Sequence, residues 1–148
     1  MIKKNKLTIS VIVPAYNEED YIASCLEHIL SESSLIKEII VVDNASTDHT
    51  WAIVAMIPGV KLVHEPAQWL VKARQRWYLE STGDIIAYLD ADTRMSKGRI
   101  QKVLQTFELH DDLVFLSGPY DYYDVPARKK VGQFIYRKVF AQISYFIM

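Results

Sequence analysis

Two short runs of β-branched, almost wholly apolar residues constrain the fold of this chain more than any other feature. Residues 8–14 (Thr-Ile-Ser-Val-Ile-Val-Pro) and residues 38–43 (Glu-Ile-Ile-Val-Val-Asp) lack the polar alternation of a half-exposed strand. Such runs are typical of strands that are buried on both faces of a parallel sheet. Pro14 has no amide hydrogen to give to a neighbouring strand, so we expect the first strand to end there.

Helical patterns alternate with these strands along the chain. Acidic residues at 18–20 precede apolar residues at helical spacing, which predicts a first helix near Tyr21. The same criteria predict helices over 49–57, 68–82 and 96–109, and strands over 60–64, 84–90 and 113–117. Gly83 follows a helix at a position suited to a left-handed cap. The alternation predicts an α/β fold with a mostly parallel central sheet and helices on both faces.

Length and composition narrow the classes of function. A chain of 148 residues, half of them apolar, is long enough for one compact domain. Its 17 basic and 18 acidic residues give no reason to expect bulk binding of nucleic acid or anionic lipid. The single cysteine, Cys25, lies on the apolar stripe of the first predicted helix, where we expect a small buried hydrophobic residue and a reducing, cytoplasmic environment.

Neither end of the sequence carries a recognisable membrane or export signal. The apolar run after the basic residues 1–6 is short and interrupted, unlike a signal peptide. The apolar segment 134–148 is shorter than the roughly 20 residues that span a bilayer. We therefore expect a cytoplasmic protein whose C-terminal segment is a candidate for peripheral contact with the inner face of the membrane.

Polar residues follow three of the predicted strands, at 14–18, 43–48 and 90–93. In an open α/β sheet the ligand crevice lies beyond the carboxyl ends of the strands. The pair Asp90 and Asp92 suits an oxygen-liganded Mg²⁺ or Mn²⁺, although an isolated Asp-x-Asp is also common as a turn. Aspartyl phosphotransferases carry a similar pair, but Arg94 stands where those enzymes have Thr or Val, which disfavours that class.

Four segments in order strengthen the case for a metal and nucleotide site. Residues 11–19, residues 39–48, Ala73-Arg74 and residues 83–92 resemble the family 2 glycosyltransferases, and the likeness extends over about residues 7–118. The resemblance implies a GT-A fold, which is a Rossmann-like nucleotide-binding sandwich. It further implies a UDP- or GDP-sugar donor, a Mg²⁺ or Mn²⁺ cofactor, and inverting transfer of the sugar to an unknown acceptor.

The resemblance also implies roles for individual residues. Its donor-binding positions fall on Pro14, Ala15, Tyr16, Glu18, Asp43, Arg74, Asp90, Ala91 and Asp92. The first four would line the nucleoside pocket, Asp43 would bind the base, and Arg74 would face the diphosphate. Asp90 would contact the ribose or reach the metal through water, Ala91 would bring its backbone close to the nucleotide, and Asp92 would bind the metal directly.

Structural roles compete with some of these assignments. Tyr16 could be a packing aromatic, Glu18 a first-turn acid, Asp43 a turn residue and Arg74 a surface ion-pair partner. Turn, capping or packing roles are expected for a further set of polar and aromatic residues, which comprises Ser46, Thr47, Asp48, His64, Trp69 and Trp77.

The sequence predicts a donor-binding core over 1–118, followed at 119–148 by a loop and an apolar helix that would begin an incomplete acceptor half. Inverting transfer requires a general base. No catalytic residue is identified, because the aspartates at 111, 112, 121 and 124 lack the family's context for that base. Two functions stay open: an active glycosyltransferase, or a catalytically incompetent donor-binding module that docks on a partner chain through 131–148.

Overall fold

The computed structural model describes residues 6–66 and 77–118. Its strands are β1 (Ile9–Ala15), β2 (Glu38–Asp43), β3 (Val60–His64) and β4 (Ile85–Tyr88). Its helices are α1 (Ile22–Leu30), α2 (Thr50–Ala55) and α3 (Arg99–Leu109), with a 3₁₀ helix at Ser33–Leu35. Residues 77–80 are also helical.

The four strands form one sheet in the order β3-β2-β1-β4, and every pairing is parallel. In this register Val13 lies opposite Val41 on β2, and Val11 lies opposite Ala87 on β4. β1 is central and its apolar side chains face both ways, as its unbroken hydrophobic run predicts. The predicted α/β fold with a parallel sheet is confirmed.

Alternate residues of the strands pack into two separate apolar layers. Ile9, Val11 and Val13 face a core that also contains buried side chains of α1, α2 and α3. Ile12 faces the other side, where Trp77 from the helical residues 77–80 packs among buried strand residues. Helical residues therefore cover both faces of the sheet, as predicted.

Carboxylates join the strands at the amino end of the sheet. Asp84 Oδ2 accepts hydrogen bonds from the amide of Thr8 (2.9 Å) and from its hydroxyl (2.6 Å). Glu38 Oε1 accepts from the Ser10 hydroxyl (2.7 Å) and from the Thr82 amide (2.6 Å). Burial alone would raise the pKa of Glu38, but these hydrogen bonds bring it below its ordinary value.

Gly83 has a different role from the predicted left-handed helix cap. Among the glycines of the described residues, positive φ angles occur at Gly59 and Gly98, not at Gly83. A Cβ on Gly83 would lie 2.6 Å from both the amide nitrogen and the hydroxyl oxygen of Ser10. The prediction was wrong because the requirement for glycine comes from close approach to β1, a contact that is distant in sequence.

Two other predicted elements differ from the structure. The helix expected over 96–109 begins at Arg99, because Gly98 adopts a φ of 80° and the buried Glu32 binds the helix start. Glu32 accepts hydrogen bonds from the amides of Gly98 and Ile100, the latter at 3.0 Å. The acidic residues at 18–20 precede α1 instead of forming its first turn, since its N-cap is Tyr21.

The strand predicted over 113–117 does not form. The residues to Asp111 make one compact unit, and those from Asp112 belong to a second. Residues 113–118 contain neither helix nor strand, and Val114 and Phe115 are 87% and 74% exposed. The apolar composition suggested a buried strand, but these side chains do not enter a core.

Several predictions fall outside the described residues. They concern most of the helix over 68–82, with Arg74 and Trp69, and the loop and apolar helix over 119–148, with the aspartates at 121 and 124. Of the helices within 6–66 and 77–118, none is long and apolar enough to cross a membrane.

Candidate functional site at the carboxyl edge of the sheet

The parallel topology places the polar strand ends in one row. From β3 to β4 the row runs through His64, Asp43, residues 14–18 and residues 90–92. Neighbouring strands lie about 4.8 Å apart, so this row is about 14 Å long. The structure thus brings together the predicted site residues that lie within the described part of the chain.

A backbone hydrogen bond and contacts with the core hold the turn that carries Asp90 and Asp92. The Thr93 amide donates to the carbonyl of Asp90 (2.9 Å), and Ala91 is buried. The Cys25 thiol of α1 lies 3.6 Å from the same carbonyl and donates to it. Burial and the nearby carboxylates of Asp92 and Asp90 raise the pKa of Cys25 to about 12. The cysteine is therefore a protonated core residue, as predicted, and both aspartate side chains remain exposed above it.

The loops after β1 and β2 are joined by side chain to backbone hydrogen bonds. Asn17 and Ala45 have φ angles of 55° and 59°, which non-glycine residues adopt uncommonly. The Asn17 side chain accepts from the Thr47 amide (2.8 Å), and the Asn17 amide donates to the Ser46 hydroxyl (3.0 Å). These bonds hold Asn17 in its left-handed conformation, and thereby set the direction of its neighbours in the 14–18 segment.

Further contacts extend this loop pairing toward α2. The Glu18 amide donates to the Thr50 hydroxyl (2.8 Å), and the Glu19 amide donates to Asp48 (3.1 Å). Glu19 in turn accepts from the His49 amide (2.9 Å). The predicted turn role of Ser46, Thr47 and Asp48 agrees with these contacts. Sequence reasoning missed Asn17 and Glu19, because their partners lie about 30 positions away.

Negative charge accumulates around Glu18. Burial is the largest cause that raises the pKa of Glu18 above its ordinary value. The remaining causes are three neighbouring carboxylates, those of Asp92, Asp48 and Asp90. Carboxylate oxygens are the ligands that Mg²⁺ and Mn²⁺ prefer, and a cation would reduce this repulsion.

The described residues do not by themselves form a complete set of metal ligands. Within residues 6–66 and 77–118, no group of three or more His, Cys, Asp or Glu side chains is arranged to hold a metal ion. Asp90 and Asp92 present exposed carboxylate oxygens, a ligand type that Mg²⁺ commonly combines with phosphate oxygens and water.

Asp43 and His64 are paired at the end of the row farthest from the aspartate turn. They lie opposite each other in the β2–β3 register, and His64 Nδ1 is 3.0 Å from Asp43 Oδ2. Asp43 is 1% exposed, and its other oxygen accepts from the Ser46 amide at 3.3 Å. Next to it, Asn44 Oδ1 is buried without a hydrogen-bond partner among the described residues. The pairing of Asp43 with His64 follows from the β2–β3 register, which the sequence does not show.

Comparison with known proteins gives consistent results. The sequence profile of Glycosyl transferase family 2 matches residues 10–147. The glycosyltransferase YibD of Escherichia coli is 33% identical over 117 residues, which are 76% of this chain and 33% of YibD. The chain spans about a third to a half of the length of the first curated relatives that it matches.

Two solved structures illustrate the likeness in fold. S. aureus TarS matches with a TM-score of 0.65 and 22% identity, over 80% of this chain and 40% of TarS. Glucosyl-3-phosphoglycerate synthase from Mycobacterium tuberculosis, in complex with Mn²⁺, UDP-glucose and phosphoglyceric acid, matches with a TM-score of 0.52 and 32% identity. That match covers 57% of this chain and 33% of the synthase. The GT-A fold expected from the sequence is confirmed.

Proposed function

Because the chain belongs to family 2 of the glycosyltransferases, we propose that it forms the donor-binding part of a metal-dependent enzyme. The enzyme transfers a sugar, with inversion, from a nucleoside-diphosphate sugar to an acceptor hydroxyl. Residues 1–118 form the donor-binding core in this proposal, and 119–148 begin the acceptor part.

The observation that carries this proposal is the gathering of carboxylates at one edge of the sheet. Glu18, Asp90 and Asp92 come from two separate loops, yet the carboxylates of Asp92 and Asp90 lie close enough to Glu18 to contribute to its raised pKa. Asp92 would bind Mg²⁺ or Mn²⁺ directly, and Asp90 would bind the ribose or reach the cation through water. The bound metal would neutralise charge on the departing diphosphate.

The nucleoside end of the donor would lie over the ends of β1 and β2. Pro14, Ala15 and Tyr16 lead into the fixed loop, and Tyr16 is 47% exposed, so its ring is available to a ligand. Asp43 serves the base end of the pocket. Arg74 would face the diphosphate, where a guanidinium matches the geometry of phosphate oxygens. The Mn²⁺ and UDP-glucose in the mycobacterial synthase support a UDP-sugar as the donor.

Calorimetric titration of UDP and GDP, with and without Mn²⁺, tests this proposal on the 148-residue chain. Asp92→Asn keeps the side-chain shape and removes the charge, so the Mn²⁺-dependent affinity for UDP should fall at least about tenfold. Asp112→Asn is the matched control, since Asp112 is exposed and lies in the second unit. Nucleotide binding that is absent, or indifferent to Mn²⁺ and to Asp92→Asn, would contradict the proposal.

A transfer assay separates the enzyme from the donor-binding module. UDP release from UDP-glucose on addition of an acceptor would support transfer by this chain. Tight metal-dependent UDP binding without any turnover would instead select the module.

A further inference from the structure

The pairing of Asp43 with His64 affects which side chain can contact the base of the donor. The family resemblance implies that Asp43 binds the base. Asp43 is only 1% exposed, however, and each of its oxygens already accepts a hydrogen bond. The side chain of His64 is 48% exposed on the same edge. The polar group that a ligand reaches first is therefore the imidazole.

The hydrogen bond to Asp43 fixes the tautomer of His64. A carboxylate only accepts hydrogen bonds, so the hydrogen of a neutral imidazole must be on Nδ1, which is 3.0 Å from Asp43 Oδ2. The other ring nitrogen, Nε2, is then an acceptor. Trp51 restrains the ring through an edge-to-face contact with a centroid distance of 5.6 Å. The histidine thus offers an acceptor in a defined orientation.

We propose that His64 contacts the nucleobase of the donor and selects bases with a ring N–H, and that Asp43 is the positioning residue that fixes its tautomer. The inference rests on the proposed donor-binding function and deepens it. Uracil carries a hydrogen on ring nitrogen N3, whereas cytosine presents a bare acceptor at that position. An acceptor at Nε2 therefore binds uracil and opposes the ring nitrogen of cytosine.

The position of His64 agrees with this assignment. His64 ends β3 at one end of the row, and the aspartate pair follows β4 at the other. A nucleoside diphosphate that places its phosphates at Asp90 and Asp92 directs its base toward β2 and β3. The base then meets the exposed imidazole before the buried carboxylate.

The test compares UDP with CDP by calorimetry in the presence of Mn²⁺, with all variants measured at the same pH. The wild-type chain should bind UDP about tenfold more tightly than CDP. In His64→Asn, the amide nitrogen can replace Nδ1 as donor to Asp43, while the outer acceptor is lost. The UDP to CDP affinity ratio should then fall close to one. His110→Ala, at an exposed histidine after α3, should keep the wild-type ratio.

The ratio of two affinities distinguishes base recognition from general damage, because a weakened fold lowers both affinities together. Asp43→Asn should also lower the ratio, since an amide no longer dictates the tautomer of His64. A wild-type ratio retained in His64→Asn, or lost only in Asp43→Asn, would overturn the proposal and return base recognition to Asp43. Equal affinities of the wild-type chain for UDP and for CDP would also overturn it. Absence of any nucleotide binding by the wild type would instead refute the donor-binding function itself.

Discussion

Substitution of Gly83 by alanine should destabilise the protein severely. The new Cβ would lie 2.6 Å from both the amide nitrogen and the hydroxyl oxygen of Ser10, and 3.0 Å from the carbonyl carbon of Ile9. Two of these three atoms are backbone atoms of the central strand, so the conflict is not relieved by a rotamer change. Separation of the two segments would also stretch the 2.8 Å hydrogen bond from the Gly83 amide to Ser10.

The steric conflict and the stretched hydrogen bond together set the expected loss in free energy of unfolding. Overpacking in a close-packed core costs about 1–3 kcal/mol, and loss of a hydrogen bond adds about 1 kcal/mol. The free energy of unfolding should therefore fall by about 3 kcal/mol. For a protein of this size that corresponds to a Tm lower by roughly 10 °C.

Urea unfolding followed by circular dichroism measures this loss. Gly98→Ala is the matched control, because Gly98 has a φ of 80° but a Cβ there would meet no atom of the described residues within 4 Å beyond its chain neighbours. Backbone strain alone should cost about 1 kcal/mol there. If Gly83→Ala cost no more than Gly98→Ala, the close approach to β1 would not be what requires glycine at position 83.

Three isosteric Glu→Gln substitutions should have three different effects, each measured by urea unfolding without metal. Glu32→Gln should lose about 2 kcal/mol, since one carboxylate oxygen that accepts from an amide at the start of α3 becomes a donor; an unchanged stability would rule out that cap. Glu38→Gln should be destabilised at about pH 7, and its difference from the wild type should shrink as the pH falls. The lowered pKa of Glu38 means that its stabilisation is present above the ordinary value of 4.5 and is lost as pH falls through the folded-state pKa. Glu18→Gln should be more stable than the wild type at about pH 7, because a raised pKa makes ionisation costly in the folded state. This gain in stability should vanish below the ordinary pKa of 4.5. A loss of stability at neutral pH would contradict the carboxylate cluster.

Local sequence patterns predicted the elements whose boundaries depend on local chemistry. The strand expected over 60–64 is β3 (Val60–His64), because a Pro58-Gly59 turn signal is followed at once by Val60 and Val63. The start of α3 was placed three residues early. Its cap is Glu32, more than sixty positions away, and no pattern within the helix indicates that contact.

In the candidate site, too, features set by local sequence were predicted and features set by distant contacts were not. The sequence located the strand ends that carry Asp43, Asp90 and Asp92, because polar residues after buried strands in a parallel sheet share one edge. It did not indicate that Asp43 is buried against His64. That pairing depends on the register between two strands, which the turn lengths and side-chain packing set together.

The carboxylates at the two ends of the sheet differ in how their charges affect folding. At the amino end, hydrogen bonds from Thr8 lower the pKa of Asp84, so its charge favours the folded state. At the carboxyl end, backbone and hydroxyl donors hold the loops that contain Glu19 and Asp48, and the pKa values of both are lowered. Glu18, in the loop after β1, has a pKa that is raised first by burial and then by the carboxylates of Asp92, Asp48 and Asp90, so its charge opposes folding. In the proposed function, a divalent cation bound at Asp92 would offset the repulsion that Asp92, Asp48 and Asp90 exert on Glu18.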